Sequence, residues 1–201
     1  MFSLKSVAII GLLFAATACT PLSQQRPSST NSELLWQERH QALVELDQWQ
    51  ISGRTLIRQG KEAWNAGLRW QQNRGVYQIK LEGPFSQGGV TLDGSETQAI
   101  LTMNDGQKLV SADPETLIAQ TLGVQLPVNA LRDWVRGIPS SQKIDVLTLD
   151  DKGQITHLIQ QGWDISFLKY MPFGNYSMPA KIYINHQDSS LRLAIMTWNK
   201  I

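Results

Sequence analysis

The chain holds one cysteine, Cys19, among 201 residues, so no disulfide can form within it. Its three histidines, His40, His157 and His186, fall on three separate predicted elements, and none makes a metal-ligand spacing such as His-x-x-x-His. No metal site is therefore expected. No G-x-S-x-G elbow, P-loop or paired-glycine dinucleotide fingerprint occurs. Asp150 and Asp151 lie in the turn "DDKG", and Asp93 and Glu96 flank another turn, where solvated charge is the ordinary role. With no nucleophile, base or cofactor cradle in the pattern, neither an enzyme nor a bound cofactor is expected. Charge is also sparse, at 17% of residues. The one long apolar run, residues 7–18, is shorter than the roughly 20 residues a membrane-spanning helix needs.

That run has the order of a secretory signal peptide: Lys5 is a positive start, residues 7–14 ("VAIIGLLF") an apolar middle, and "ATA" at residues 16–18 a small-residue cleavage site. Ordinary and lipoprotein signal peptidases would both cut before Cys19. The stretch resembles a bacterial lipobox, in which a Leu, two small residues and a Cys follow one another; Ala16 stands here at the place of the Leu. Cys19 is then either an acylated first mature residue or a chance cysteine left as a free thiol. Several acyl chains on Cys19 would give stable anchoring, since each buried methylene contributes about 0.8 kcal/mol. In bacterial lipoproteins an Asp after the Cys favours inner-membrane retention, so by the same resemblance Thr20 points to the outer membrane. The polar "SQQRPSST" that follows is expected to be an unstructured tether. Residues 1–18 are thus assigned to the signal, 19–31 to the lipidated start and tether, and 32–201 to one domain. Loss of Lys5 with the signal leaves 17 basic against 17 acidic side chains in the mature chain, a balance that speaks against a nucleic-acid partner.

What is abundant is large apolar side chains, including seven tryptophans that need a core or a cavity to fill. Asn31 or Ser32 is placed to cap an opening helix with Leu35, Trp36, Leu43, Val44 and Leu46 on its apolar side. The period then changes to two: Ile51, Gly53, Thr55 and Ile57 alternate with polar residues, as do Trp64, Ala66, Leu68 and Trp70. Strand patterns continue to "KLVSA", and stop at a helix capped by Asp113 with Pro114 in its first turn and a second helix from near Pro127 to Gly137. Strands resume from "KIDVLTLD" to the end. About eleven strands in meander order with one helical interruption predict a mainly β, α+β fold, a single strongly curved antiparallel sheet whose concave face needs an apolar filling.

Within the interruption, "LGVQLPVNALRDWVRGIP" carries Gly123, Pro127, Leu131, Arg132, Trp134, Gly137 and Pro139 at a spacing that resembles the signature of the LolB family. "LRWQQ" at residues 68–72, "GPFSQGG", "ADPETLI" and "MPAKIYI" add further matches in the same order along the mature chain. The resemblance implies an incomplete antiparallel β-barrel with a helical lid over an apolar cavity. It also implies a role, that of an outer-membrane lipoprotein facing the periplasm, which accepts acylated lipoproteins from the periplasmic carrier LolA and inserts them into the inner leaflet of the outer-membrane bilayer. Trp64, Leu68, Trp70, Leu92, Leu117, Ile118, Leu131 and Trp134 are the candidate acyl-cavity residues, each of which could equally be ordinary core. The resemblance further makes Pro84 and Phe85 a membrane-insertion loop, with Phe85 where the family commonly has Leu. Arg132 either ties the lid helices to the sheet or faces solvent. The protein is expected to act as a monomer. The alternative is an envelope assembly lipoprotein that holds a protein partner in the same groove.

Overall fold

The computed structural model describes residues 29–83 and 88–201. The signal, Cys19, most of the tether, Pro84 and Phe85 lie outside the described residues. Helix α1 (Ser29–Val44) opens the fold and takes in residues 29–31, ahead of the cap expected at Asn31 or Ser32. Strands β1 (Gln48–Gln59), β2 (Glu62–Asn73), β3 (Val76–Glu82), β4 (Val90–Gly94), β5 (Ala99–Met103) and β6 (Lys108–Ser111) follow as a meander. Helices α2 (Pro114–Leu122) and α3 (Val128–Trp134) interrupt it, and β7 (Ile144–Leu149), β8 (Ile155–Gln160), β9 (Trp163–Phe173), β10 (Tyr176–His186) and β11 (Ser189–Asn199) complete it.

All eleven strands form one antiparallel sheet in the order β6-β5-β4-β3-β2-β1-β11-β10-β9-β8-β7. The last strand returns to pair with the first, and β6 and β7 are left as unpaired edges of an unclosed barrel. The chain must therefore travel from one edge to the other between β6 and β7, and α2 and α3 make that crossing. Alternation sets which face is inside. Ile51 stands opposite Trp70, Thr55 opposite Ala66 and Ile57 opposite Trp64, so the inward residues of β1 and β2 pair across the ladder.

Strand β1 bends where its pairing with β11 slips between Ser52 and Gly53. A Cβ on Gly53 would stand 2.1 Å from the Ala194 carbonyl oxygen, so only glycine permits this approach. Pro179 lies at another slip, between β10 and β9, the kind of irregularity where a strand tolerates proline; its carbonyl accepts the Trp198 indole N–H at 3.0 Å.

Candidate functional site

Helix α2 starts as its sequence dictates. The Asp113 carboxylate accepts the backbone N–H groups of Glu115 (3.1 Å) and Thr116 (3.2 Å), and Pro114 occupies the first turn. The Thr116 hydroxyl, which donates to the same carboxylate, holds the Asp113 pKa below its usual value, and the two backbone bonds add to the effect. Gly123, in the left-handed conformation at φ 67°, ends the helix. Leu117 and Ile118 then face the sheet, as do Val128 and Leu131 from α3.

Under these helices lies an apolar cavity of about 70 Å³. Its wall comes from β1 to β5 and from β11, through Ile57, Leu68, Trp70, Leu81, Leu92, Leu101 and Leu193 among others, and its roof from Ile118, Leu122, Val124, Leu126, Val128 and Leu131. Thus Leu68, Trp70, Leu92, Ile118 and Leu131 meet on one cavity. Two lining residues, Thr55 and Trp70, carry a buried hydroxyl and a buried indole N–H without a hydrogen-bond partner among the described residues. Such groups cost roughly 1–3 kcal/mol each. The volume is less than half of the roughly 150 Å³ that suffices for benzene.

The other three candidates lie off the lining. Leu117 is buried in the packing between α2 and the sheet, and Trp64 is half-buried against the main core. Trp134 is fully buried, and its indole N–H donates to Gln160 Oε1 at 2.9 Å. Gln160 is itself completely satisfied: it accepts from the Ser140 backbone N–H at 2.9 Å, and its amide donates to the carbonyls of Ser140 (3.1 Å) and Gln142 (2.6 Å). Trp134 is therefore the anchor of α3 and not cavity wall. Of the seven tryptophans only Trp70 lines the cavity, and the rest of the lining is aliphatic apart from Thr55.

The link between helices belongs to Arg136 and not to Arg132, which is exposed. The Arg136 guanidinium donates to the carbonyls of Leu43 (2.9 Å) and Leu46 (3.0 Å) at the end of α1, and to the Asp133 carboxylate. A cation here satisfies carbonyls that helix geometry leaves open. Burial lowers the Arg136 pKa, with Asp133 opposing the shift. Neither the Gln160 acceptor nor the helix-joining role of Arg136 is expected from the sequence. Gln160 had a usable signal, since it continues the inward phase of Leu158 on β8.

The α2 end of the lid is tied more lightly. Gln59 Oε1 accepts the Gln125 backbone N–H at 3.2 Å and the Ser189 hydroxyl at 2.7 Å. The Glu115 carboxylate accepts the Asn129 N–H at 3.2 Å, while partial burial raises its pKa. Among the described residues no group of three or more His, Cys, Asp or Glu is placed to hold a metal ion, and no helix is long and apolar enough to cross a membrane.

The family model described as "Outer membrane lipoprotein LolB" matches residues 47–198. An outer-membrane lipoprotein LolB of Nitrosococcus oceani is 36% identical over 194 residues, covering 96% of both chains. One of Pseudomonas savastanoi pv. phaseolicola is 32% identical over 196 residues, covering 97% of this chain and 96% of the relative. Among solved structures, a LolA superfamily protein of Nitrosomonas europaea shares the fold with a TM-score of 0.54 at 8% identity, covering 85% of this chain and 94% of its own. The edge-to-edge helical lid, the apolar cavity beneath it and these matches across nearly the whole length lead to one assignment: the chain belongs to the LolB family of outer-membrane lipoproteins.

Proposed function

We propose that the protein is an acceptor that takes lipoproteins from the carrier LolA and inserts them into the inner leaflet of the outer membrane, binding their acyl chains beneath α2 and α3. The observation that carries this reading is the largely aliphatic cavity, closed by a lid whose two ends are tied unequally. A 16-carbon chain exposed to water costs on the order of 12 kcal/mol, so cargo must pass from one apolar cavity to another. Transfer without an energy source proceeds downhill when the acceptor binds the chains more tightly than the carrier does.

The cavity as it stands holds far less than an acyl chain, so binding requires the roof to rise. Trp134 and Arg136 fix the far end of α3, which makes α2 and the segment through Gln125 the part that moves. The Thr55 hydroxyl and Trp70 indole are donors for the ester or amide carbonyls of the cargo. In the same reading Cys19 carries the lipid anchor, the domain faces the periplasm as a monomer, and Pro84 and Phe85 form the loop that engages the bilayer. No bond is made or broken.

The test is transfer of an acylated lipoprotein from purified LolA to the unlipidated mature chain, measured as movement of cargo between the two. Transfer is the expected result, and retention of all cargo on the carrier would overturn the reading. Phe85→Glu should leave that step intact and impair release into vesicles. Stable capture of a protein partner, with no saturable binding of a fluorescent acyl probe, would instead favour the assembly role.

A further inference from the structure

The convex face of the sheet, opposite the cavity, carries a cluster of cations that make no carboxylate pairs among the described residues. One cross-strand row runs Gly67, Arg54, Ala194, Lys181, Lys169 over β2, β1, β11, β10 and β9, and the neighbouring row runs Leu56, Arg192, Tyr183. Ala194 thus separates Arg54 from Lys181, and its small side chain floors a hollow of about 180 Å³ ringed by Arg54, Lys181, Arg192 and Tyr183. Lys181 and Arg192 flank the Tyr183 ring at 5.3 Å and 4.8 Å from its centre.

The row continues past Gly67 to Glu82, which shares a hollow with Arg54 but makes its ion pairs with other cations. The outward carboxylates of that face are engaged elsewhere, Glu82 with Lys80 (3.3 Å) and Arg69 (3.8 Å), and Asp164 with His157 (3.2 Å). Among the described residues none of Arg54, Lys169, Lys181 and Arg192 pairs with a carboxylate. Lys169 and Lys181 even stand directly opposite each other, an arrangement that opposes sheet pairing. In a mature chain with equal numbers of acidic and basic side chains, this is segregation of charge and not an excess of it. Leu168 and Met196, 52% and 58% exposed on the neighbouring strands, add apolar contact beside the cations. Cations, an aromatic ring and isolated apolar side chains on one surface suit the headgroup layer of a bilayer.

We infer that this convex face docks on anionic phospholipid headgroups, with the Arg54, Lys181 and Arg192 hollow taking a headgroup phosphate. The inference rests on the outer-membrane setting but not on cargo binding, because it uses the side of the sheet away from the cavity. The occupant is the bilayer surface, which is the anionic partner held nearest to an outer-membrane protein, and bringing the convex side to it leaves the lid free.

The test uses mature chain carrying Cys19→Ala, which takes no acyl group, co-sedimented with vesicles of phosphatidylglycerol and phosphatidylethanolamine or of phosphatidylcholine alone. Binding to the anionic vesicles alone, lost as salt rises from about 0.05 to 0.5 M, is the expected result. Arg54→Gln, Lys181→Gln and Arg192→Gln should each weaken it about fivefold, and together on the order of a hundredfold. Their circular dichroism and acyl-probe binding should not change, and failure of the parent chain to bind that probe would count against the proposed function alone. Equal binding to both vesicle types, no binding, or an unaffected triple variant would overturn the inference. So would displacement by about 10 mM inorganic phosphate, which marks a small-anion site, or loss of carrier docking in the triple variant with vesicle binding intact, which marks a protein surface.

Discussion

The two halves of the concave face are built from the same sheet and differ in what fills them. On β8 to β10, Leu158, Ile165, Ile182 and Ile184 are fully buried, and Trp134 enters from α3 to close the space with Gln160 as its fixed partner. On β2 to β5, Leu68, Leu92 and Leu101 meet only the short aliphatic side chains of α2 and α3, and a cavity remains. The difference shows how one helical pair serves as both wedge and lid: a ring with a satisfied polar tip makes a permanent contact, and an aliphatic layer makes one that another aliphatic chain can replace.

The comparison breaks first at Trp134. Trp134→Ala should cost about 3–5 kcal/mol through the cavity it opens and the loss of its bond to Gln160, lowering the urea midpoint sharply. In the other half, Leu92→Trp should cost only about 1–3 kcal/mol, yet abolish saturable binding of an acyl probe by filling the cavity. Loss of binding from Leu92→Trp with near-normal unfolding would separate lid from wedge. Asp113→Ala removes the cap of α2 at a cost of about 1 kcal/mol, and stopped-flow mixing should show faster probe entry.

The smallest expected effect is a pH slope. Partial burial raises the Glu115 pKa in the folded state, so the native chain binds its proton more readily than the unfolded chain does. The stability this contributes is present below the ordinary value near 4.5 and is lost as pH rises through the raised one. Glu115→Gln, which keeps an acceptor for the Asn129 N–H, should flatten that slope in unfolding measured between about pH 4 and 7.

Much of this architecture was legible in the sequence. The two-residue alternation of β1 and β2, the Asp113-Pro114 helix start and the count of about eleven strands follow from local chemistry that packing did not override. Register was not legible, and it is register that brings Arg54 and Lys181 to either side of Ala194. Nor could the pattern tell lining from filling: Leu131 and Trp134 lie one turn apart on α3, and the geometry of the crossing alone sends one to the cavity and the other to Gln160. Val44, expected on the apolar side of α1, is 48% exposed because that helix rests on the barrel through Trp36 and Leu43, with Leu46 buried just beyond its end. Arg132 and Arg136 share a helical end and a charge, and only the position of the α1 terminus decides which is buried.

The most direct test of the central claim is photocrosslinking with a palmitoyl chain that carries a diazirine along its length, followed by mass mapping of the adducts. The account predicts adducts at the lining residues Leu68, Leu92, Ile118 and Leu131, and none at Leu158, Ile165 or Ile182. Labelling of the β8 to β10 half, or an absence of adducts beneath α2 and α3, would contradict it.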